Sequence, residues 1–234
     1  MLVPRLVLAS GSPRRRELLA VAGYEFVVDV ADIDETIGVG ESPVAATTRL
    51  AIEKAEAVVR RRAGGCVVAS SPSDGGSALI AGQSEQRTVG PAPDAGESAP
   101  GDREYVLAAD TTVVVGERIL GKPSDTREAA DMLLSLAGRN HIVLTAWALL
   151  GPHGRPVAPE CGVSRSIVRM REISRAEAEA YASTGEPMDK AGGYAAQGEG
   201  RRFIGAIVGP LDNVIGLPMA PVTAALARSG IVPA

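Results

Sequence analysis

The chain has 234 residues and a formal net charge of −4, with 45% hydrophobic and 3% aromatic residues. The negative net charge excludes binding to a nucleic-acid polymer by bulk electrostatic attraction, so any anion site must be local. No apolar stretch reaches the roughly 18 to 20 residues of a membrane span, no signal peptide is recognisable, and Cys66 and Cys161 lack metal-binding or disulfide spacing, so we expect a cytoplasmic protein without a membrane partner.

The first predicted elements are a buried strand at residues 6–8 and a helix that begins at Ser12 and Pro13. Serine is a favoured N-cap, and proline is tolerated at the first helical position because its missing N–H would be unpaired anyway. Arg14, Arg15 and Arg16 follow in the first turn, where positive charge opposes the helix dipole. The pattern predicts a bound polyanion such as a phosphate chain, and a solvated basic turn is the alternative.

The rest of the chain alternates between strand-like and helical patterns, which predicts an α/β architecture. Strands are expected at residues 24–29, 106–115 and 142–150. Helices are expected from Ser42 to about Arg62, from a capping box at Asp125 and Glu128 to Gly138, from a capping box at Ser174 and Glu177 to Gly185, and from about Pro218. Residues 71–102 are rich in Gly, Ser, Pro and Ala, so we predict one domain over residues 1–234 with a flexible insertion at about 71–102.

Two charged residues fall where an apolar residue is expected. Asp110 interrupts an apolar strand, and Lys54 lies on the apolar stripe of the second helix. A buried carboxylate requires a metal, a cation or several donors, so Asp110 indicates either a functional site or a structural hydrogen-bonded aspartate. Lys54 either contributes to such a site or extends along the edge of the stripe to solvent.

Residues 116–123 resemble a phosphate-binding P-loop, but Pro123 replaces the hydroxyl residue that would bind Mg²⁺. We therefore reject a P-loop and retain Lys122 as a phosphate ligand. The cations Arg14, Lys54 and Lys122, together with the carboxylates Glu35 and Asp110, suit a metal-bound triphosphate. Mg²⁺ prefers one or two carboxylates together with phosphate oxygens and water.

A series of short motifs extends these observations over nearly the whole chain. They are Ser10-Gly-Ser-Pro-Arg14-Arg15, Asp34-Glu35, Glu53-Lys54-Ala55, Ala109-Asp110-Thr111, Gly121-Lys122-Pro123, Leu136 to His141, Gly185-Glu186-Pro187, Asp189 to Gly198 and Asn213 to Pro218. In this order they resemble the Maf family of nucleoside triphosphate pyrophosphatases. The resemblance implies an elongated mixed sheet flanked by helices, with two lobes around a cleft, similar to inosine triphosphatases. It also implies hydrolysis between the α- and β-phosphates.

The resemblance further implies a role for each matching residue. Asp110 matches the catalytic carboxylate that accepts a proton from water, and Glu35 matches its partner in holding Mg²⁺ or Mn²⁺. Lys54 and Lys122 match ligands of the phosphate chain, together with Ser10 and Arg14 at the helix terminus. Arg14, Thr111 and Gln197 match positions linked to base choice. The form of residues 190–197 resembles the branch acting on dTTP and UTP. Other or broad base preference, or a non-catalytic septum-formation regulator, are the alternatives, and a homodimer is left open.

Overall fold

The computed structural model describes residues 4–64, 104–151 and 160–234. The predicted insertion at about 71–102, together with Cys66 and His153, lies outside the described residues. Among the helices of the described ranges, none is both long enough and apolar enough to cross a bilayer.

A seven-stranded mixed sheet forms the centre of the structure. Its strands are β1 (Arg5–Leu8), β2 (Phe26–Val28), β3 (Glu104–Val115), β4 (Arg118–Leu120), β5 (Asn140–Leu150), β6 (Glu160–Met170) and β7 (Ile204–Val208). The order is β2-β1-β3-β5-β6-β7, and β4 pairs with β3. β1 is parallel to β2 and β3, whereas the pairs β3–β5, β5–β6 and β6–β7 are antiparallel.

Six α-helices of the described residues accompany the sheet, so the predicted α/β fold with a mixed, helix-flanked sheet is confirmed. They are α1 (Pro13–Val21), α2 (Pro43–Gly64), α3 (Thr126–Leu136), α4 (Arg175–Ala182), α5 (Leu211–Ile215) and α6 (Met219–Arg228). Short 3₁₀ segments cover Glu186–Asp189, Ala191–Gly193 and Gly198–Phe203. The capping box at Ser174 and Glu177 is present as predicted.

Several local details differ from the sequence-based expectations. The Asp125 side chain accepts from the Glu128 amide at 2.7 Å, but the Glu128 carboxylate binds the Ser124 amide at 2.7 Å instead of the Asp125 amide, so this capping box is incomplete. Strands β4, β6 and β7 were not predicted. Strand β6 lacks the continuous apolar run that marks a strand buried on both faces, and this is why the sequence did not indicate it. Exposed positions recur along β6 up to Arg169, because one of its faces is partly open to solvent.

The hydrophobic core explains why polar residues are tolerated in the middle of β3. On β1, Leu6 and Leu8 pack with α1 and α6, whereas Val7, and Ala9 just after the strand, pack with α2 on the opposite face, because side chains alternate along a strand. Farther along β3, Val113 belongs to a third cluster with α3 and α4. Residues 110–112 lie between these clusters, which leaves this part of the strand free to line a site.

Candidate active site

One cleft of about 450 Å³ collects the residues that the sequence analysis selected. All eight candidate residues line it: Ser10, Arg14, Glu35, Lys54, Asp110, Thr111, Lys122 and Gln197. They come from the loop between β1 and α1, the first turn of α1, the segment after β2, helix α2, strand β3, the segment after β4 and the segment before β7. Residues up to 187 positions apart in the chain therefore meet only through the tertiary fold.

The centre of the cleft is an ion-pair network. Lys54 Nζ lies 2.6 Å from Asp110 Oδ1 and 2.9 Å from Glu35 Oε1. Lys54 and Asp110 are both buried, with 8% and 7% of their surface exposed. Lys122 Nζ lies 3.5 Å from the second oxygen of Glu35. Lys54 therefore does not extend to solvent. Its ammonium group pairs with the Asp110 carboxylate, and this explains how a charged residue is accommodated in an apolar strand.

The carboxylate of Glu35, whose side chain is 45% exposed, is held in its ionised form. Burial by itself would raise the pKa of Glu35, but the hydrogen bond and positive charge of Lys54, together with Lys122, lower it below its ordinary value. A carboxylate that remains ionised across the neutral range can hold a cation or accept hydrogen bonds.

Alternation along β3 directs neighbouring side chains towards different helices. Asp110 meets Lys54 of α2, and two residues later Thr112 Oγ1 lies 2.8 Å from Thr47 Oγ1, also on α2. Thr111 lies on the opposite face, where its hydroxyl is 3.1 Å from Arg15 Nη2. A single strand thus supplies the buried carboxylate and the neighbouring hydroxyl from its two faces.

Arg15 is a residue that sequence reasoning did not separate from its neighbours. Its guanidinium donates to Ser10 Oγ at 3.0 Å, to Thr111 Oγ1 at 3.1 Å and to the Gly216 carbonyl at 2.8 Å. Burial lowers the pKa of Arg15, and the nearby charge of Asp110 partly offsets this. The spacing in the sequence contains no signal that distinguishes Arg15 from Arg14, because only the tertiary partners differ.

Arg14 has a different environment. Its Nε atom is buried but has no hydrogen-bond partner among the described residues. A buried donor without a partner is costly, so a ligand that supplies an acceptor would be favoured there. The Ser12 side chain makes no capping hydrogen bond to α1, contrary to the predicted cap, and this leaves the first-turn amides available to an anion.

Lys122 reaches the cleft from a β-hairpin. β3 and β4 are antiparallel, with Val113 paired to Leu120, and Gly116 adopts a positive φ of 59° in the connecting turn. A P-loop connects a strand to a helix, so this hairpin confirms that residues 116–123 are not one.

Another part of the cleft wall is the segment that carries Gln197. The Gln197 side chain is exposed, whereas the three preceding residues are buried. Among these, Tyr194 Oη lies 2.7 Å from Nε2 of His141, a β5 residue that is only 2% exposed. Burial lowers the pKa of His141 to about 4, so this imidazole is neutral at neutral pH.

The residues present fit a divalent cation that is shared with a substrate. Oxygens of Glu35 and Asp110 both contact Lys54 Nζ, so the two carboxylates converge on one cationic position. Within residues 4–64, 104–151 and 160–234, no group of three or more His, Cys, Asp or Glu side chains is arranged for a metal. A cation held by two carboxylates would complete its oxygen shell with phosphate and water, which is the preference of Mg²⁺.

Comparisons with known proteins identify relatives of this chain. The chain is 41% identical over 226 residues to the dTTP/UTP pyrophosphatase of Myxococcus xanthus, covering 97% of this chain and 93% of the relative. It is 39% identical over 234 residues to the dTTP/UTP pyrophosphatase of Anaeromyxobacter dehalogenans strain 2CP-1, covering 98% and 96%. The protein of the same name from Hahella chejuensis is 38% identical over 227 residues, covering 97% and 93%.

A family model also matches nearly the whole chain. The family described as Maf-like protein matches residues 5–229, a range that includes all eight candidate residues. The predicted resemblance is confirmed by this match and by relatives near 40% identity. The chain belongs to the Maf family.

Proposed function

We propose that this chain hydrolyses nucleoside triphosphates between the α- and β-phosphates, with dTTP and UTP as its preferred substrates. The products are a nucleoside monophosphate and pyrophosphate. The names of the relatives, dTTP/UTP pyrophosphatase, support both the reaction and the bases. The single observation that carries the proposal is that the candidate phosphate, metal and base ligands all line one cleft.

The phosphate chain would bind at the start of α1 and beside Lys122. The unpaired Nε of Arg14 and the uncapped first turn of α1 supply donors, and the exposed Lys122 ammonium supplies a positive charge. Charge-assisted hydrogen bonds of this kind are stronger than neutral ones and suit phosphate oxygens. These groups would orient the triphosphate with its reacting phosphorus near Asp110.

Asp110 is the proposed proton acceptor. A water oxygen forms a bond to phosphorus, the bond from phosphorus to the bridging oxygen breaks, and one water proton passes to the Asp110 carboxylate. The bridging oxygen leaves with the departing phosphate group. Lys54, which contacts Asp110 at 2.6 Å in the free protein, would gain phosphate oxygens as alternative partners and release one carboxylate oxygen for this task.

Mg²⁺ or Mn²⁺ is the proposed cofactor, held by Glu35 and Asp110 together with the substrate. Such a cation, when bound, neutralises negative charge on the phosphate oxygens. Glu35 contributes an ionised oxygen, because its pKa lies below the ordinary value. The converging carboxylates support this assignment.

A panel of nucleoside triphosphates, tested with Mg²⁺, with Mn²⁺ and with a chelator, examines the proposal directly. The expected product is pyrophosphate, formed only with a divalent cation and fastest from dTTP and UTP. Release of orthophosphate through a diphosphate would contradict the proposed bond cleavage. Preference for a methylated guanine nucleotide would contradict the base assignment alone.

A further inference from the structure

The Gly185-Glu186-Pro187 motif has no role in the chemistry proposed above, yet Glu186 lies close to the segment that carries Gln197. We call residues 194–200 the recognition loop. Gln197 makes no side-chain capping bond to the 3₁₀ turn that follows it, and its side chain is exposed. The position of its amide therefore depends on how the loop backbone is held on both sides of it.

Two side chains hold that backbone. Before Gln197, the Ala195 amide donates to Tyr181 Oη at 3.0 Å. After Gln197, the amides of Glu199 and Gly200 donate to the two Glu186 carboxylate oxygens at 3.1 and 2.9 Å. Tyr181 also lowers the pKa of Glu186, so the two side chains that contact the loop on either side of Gln197 influence each other.

Tyr181 is fixed by packing in the core and lies close to the loop backbone. Tyr181 is 1% exposed, and its ring packs edge-on against Phe203 with centroids 5.2 Å apart. A Cβ atom at Gly200 would lie only 2.6 Å from Tyr181 Oη. The loop therefore packs directly against the pair, and a shift of either side chain must shift the loop.

We propose that Tyr181 and Glu186 are positioning residues for base selection, which set the place of the Gln197 amide without touching the substrate. The inference rests on the proposed function, because it assigns Gln197 to the base. Glu186 suits this role as an acceptor. Burial would raise the pKa of Glu186, but hydrogen bonds from Tyr181 and from the amides of Gly200 and Glu199 lower it below its ordinary value. An ionised carboxylate accepts all three donors at once.

Tyr181→Phe tests the inference, because it removes one hydroxyl and keeps the ring. Tyr24→Phe is the matched control, since Tyr24 is also buried, at 6% exposure, but belongs to the core cluster around α1 and α6. We expect Tyr181→Phe to lower the ratio of kcat/KM for dTTP to that for CTP by about three- to tenfold, mainly through a higher KM for dTTP. The control should leave this ratio unchanged, although both variants lose one phenolic hydroxyl.

Glu186→Gln provides a second variant that keeps the shape of the side chain. Its amide has one acceptor oxygen in place of two, so one loop amide loses its partner. We expect a similar fall in the dTTP-to-CTP ratio, with CTP turnover near the wild-type value. Because the two residues act as one unit, the double variant should lower the ratio by less than the product of the two single effects.

The outcomes separate the inference from the proposed function. Wild-type protein that releases no pyrophosphate from any nucleotide overturns the proposed function and the inference with it. Wild-type protein that prefers dTTP, with variants that keep this preference, overturns the inference alone. The same holds if the variants lose activity equally with dTTP and CTP, or if only their melting temperatures fall, because either result assigns the pair a purely structural role.

Discussion

The two sides of the cleft hold their functional residues in different ways. On the proposed phosphate side, which comprises Glu35, Lys54, Asp110 and Lys122, charged side chains contact one another directly at 2.6 to 3.5 Å. On the proposed base side, which is the recognition loop, the side-chain amide of Gln197 is exposed and neutral, and its position depends on hydrogen bonds that other residues make with the loop backbone. Ion pairs therefore hold the side chains on the phosphate side, whereas the loop backbone sets the position of Gln197 on the base side.

The difference implies a division of labour. Direct charge contacts in a partly buried site are strong and would act on the phosphates, which every nucleoside triphosphate shares. A single neutral amide contributes a smaller energy, but it can distinguish one base edge from another. Substitutions on the phosphate side should therefore lower the activity with all nucleotides alike. Substitutions on the base side should change which nucleotide is hydrolysed fastest.

The largest effect is expected for Asp110→Asn, which keeps the shape of the side chain but removes the proposed proton acceptor. Activity should fall by about 10²-fold or more with every nucleotide. Asp131→Asn is the control, because Asp131 is an exposed aspartate that pairs with Arg175 on the protein surface. Pyrophosphate release measures the effect. A loss confined to one base would assign Asp110 to recognition and would break the comparison between the two sides.

Lys54→Met tests whether the phosphate side depends on its own charges. The variant leaves two converging carboxylates without their shared cation, so the free energy of unfolding in a chelator should fall by about 3 kcal/mol. Added Mg²⁺ should recover more stability in the variant than in the wild type, since the ammonium no longer competes for Glu35 and Asp110. Urea unfolding with and without Mg²⁺ measures both effects, and equal Mg²⁺ responses would contradict the shared-cation geometry.

Acid should affect the base side through His141, whose pKa is about 4 in the folded protein against an ordinary 6.5. Between these values the unfolded chain binds a proton that the folded protein does not, so the free energy of unfolding decreases as pH falls below 6.5. The loss between pH 7 and pH 5 should be about 2 kcal/mol.

His141→Gln replaces the titrating imidazole with a neutral amide that can still hydrogen-bond to Tyr194. Its stability should decrease less steeply than that of the wild type over the same pH range, measured by urea unfolding at several pH values. Identical slopes for the two proteins would assign the acid sensitivity to other groups.

A smaller effect than those on the phosphate side is expected for Gln197→Ala. The preference for dTTP and UTP over CTP should decrease by about tenfold, because one base-directed amide is lost while the phosphate side is intact. Turnover of CTP at saturation, with Mg²⁺ present, should change little. If the ranking of the nucleotides stayed unchanged, residues outside the recognition loop would have to select the base.

The sequence by itself determined the local elements and the choice of unusual residues. Serine and proline at residues 12–13 and 42–43 marked two helix starts, and the capping box at Ser174 marked a third, because caps depend on neighbouring residues only. Asp110 and Lys54 were conspicuous because charge at an apolar position is costly. The order and type of the motifs are sufficient to identify the family, because they depend on the sequence alone.

Only the tertiary structure decided which of these residues meet and which neighbours support them. Arg14 and Arg15 are adjacent and chemically identical, but only Arg15 bonds to Ser10, Thr111 and Gly216. Likewise, Tyr181 and Glu186 lie 13 or 14 residues before the loop amides that they contact, and nothing in the neighbouring sequence indicates that role. Caps and strand periods are local interactions that can be read in the sequence, whereas these contacts arise only when separate elements pack together.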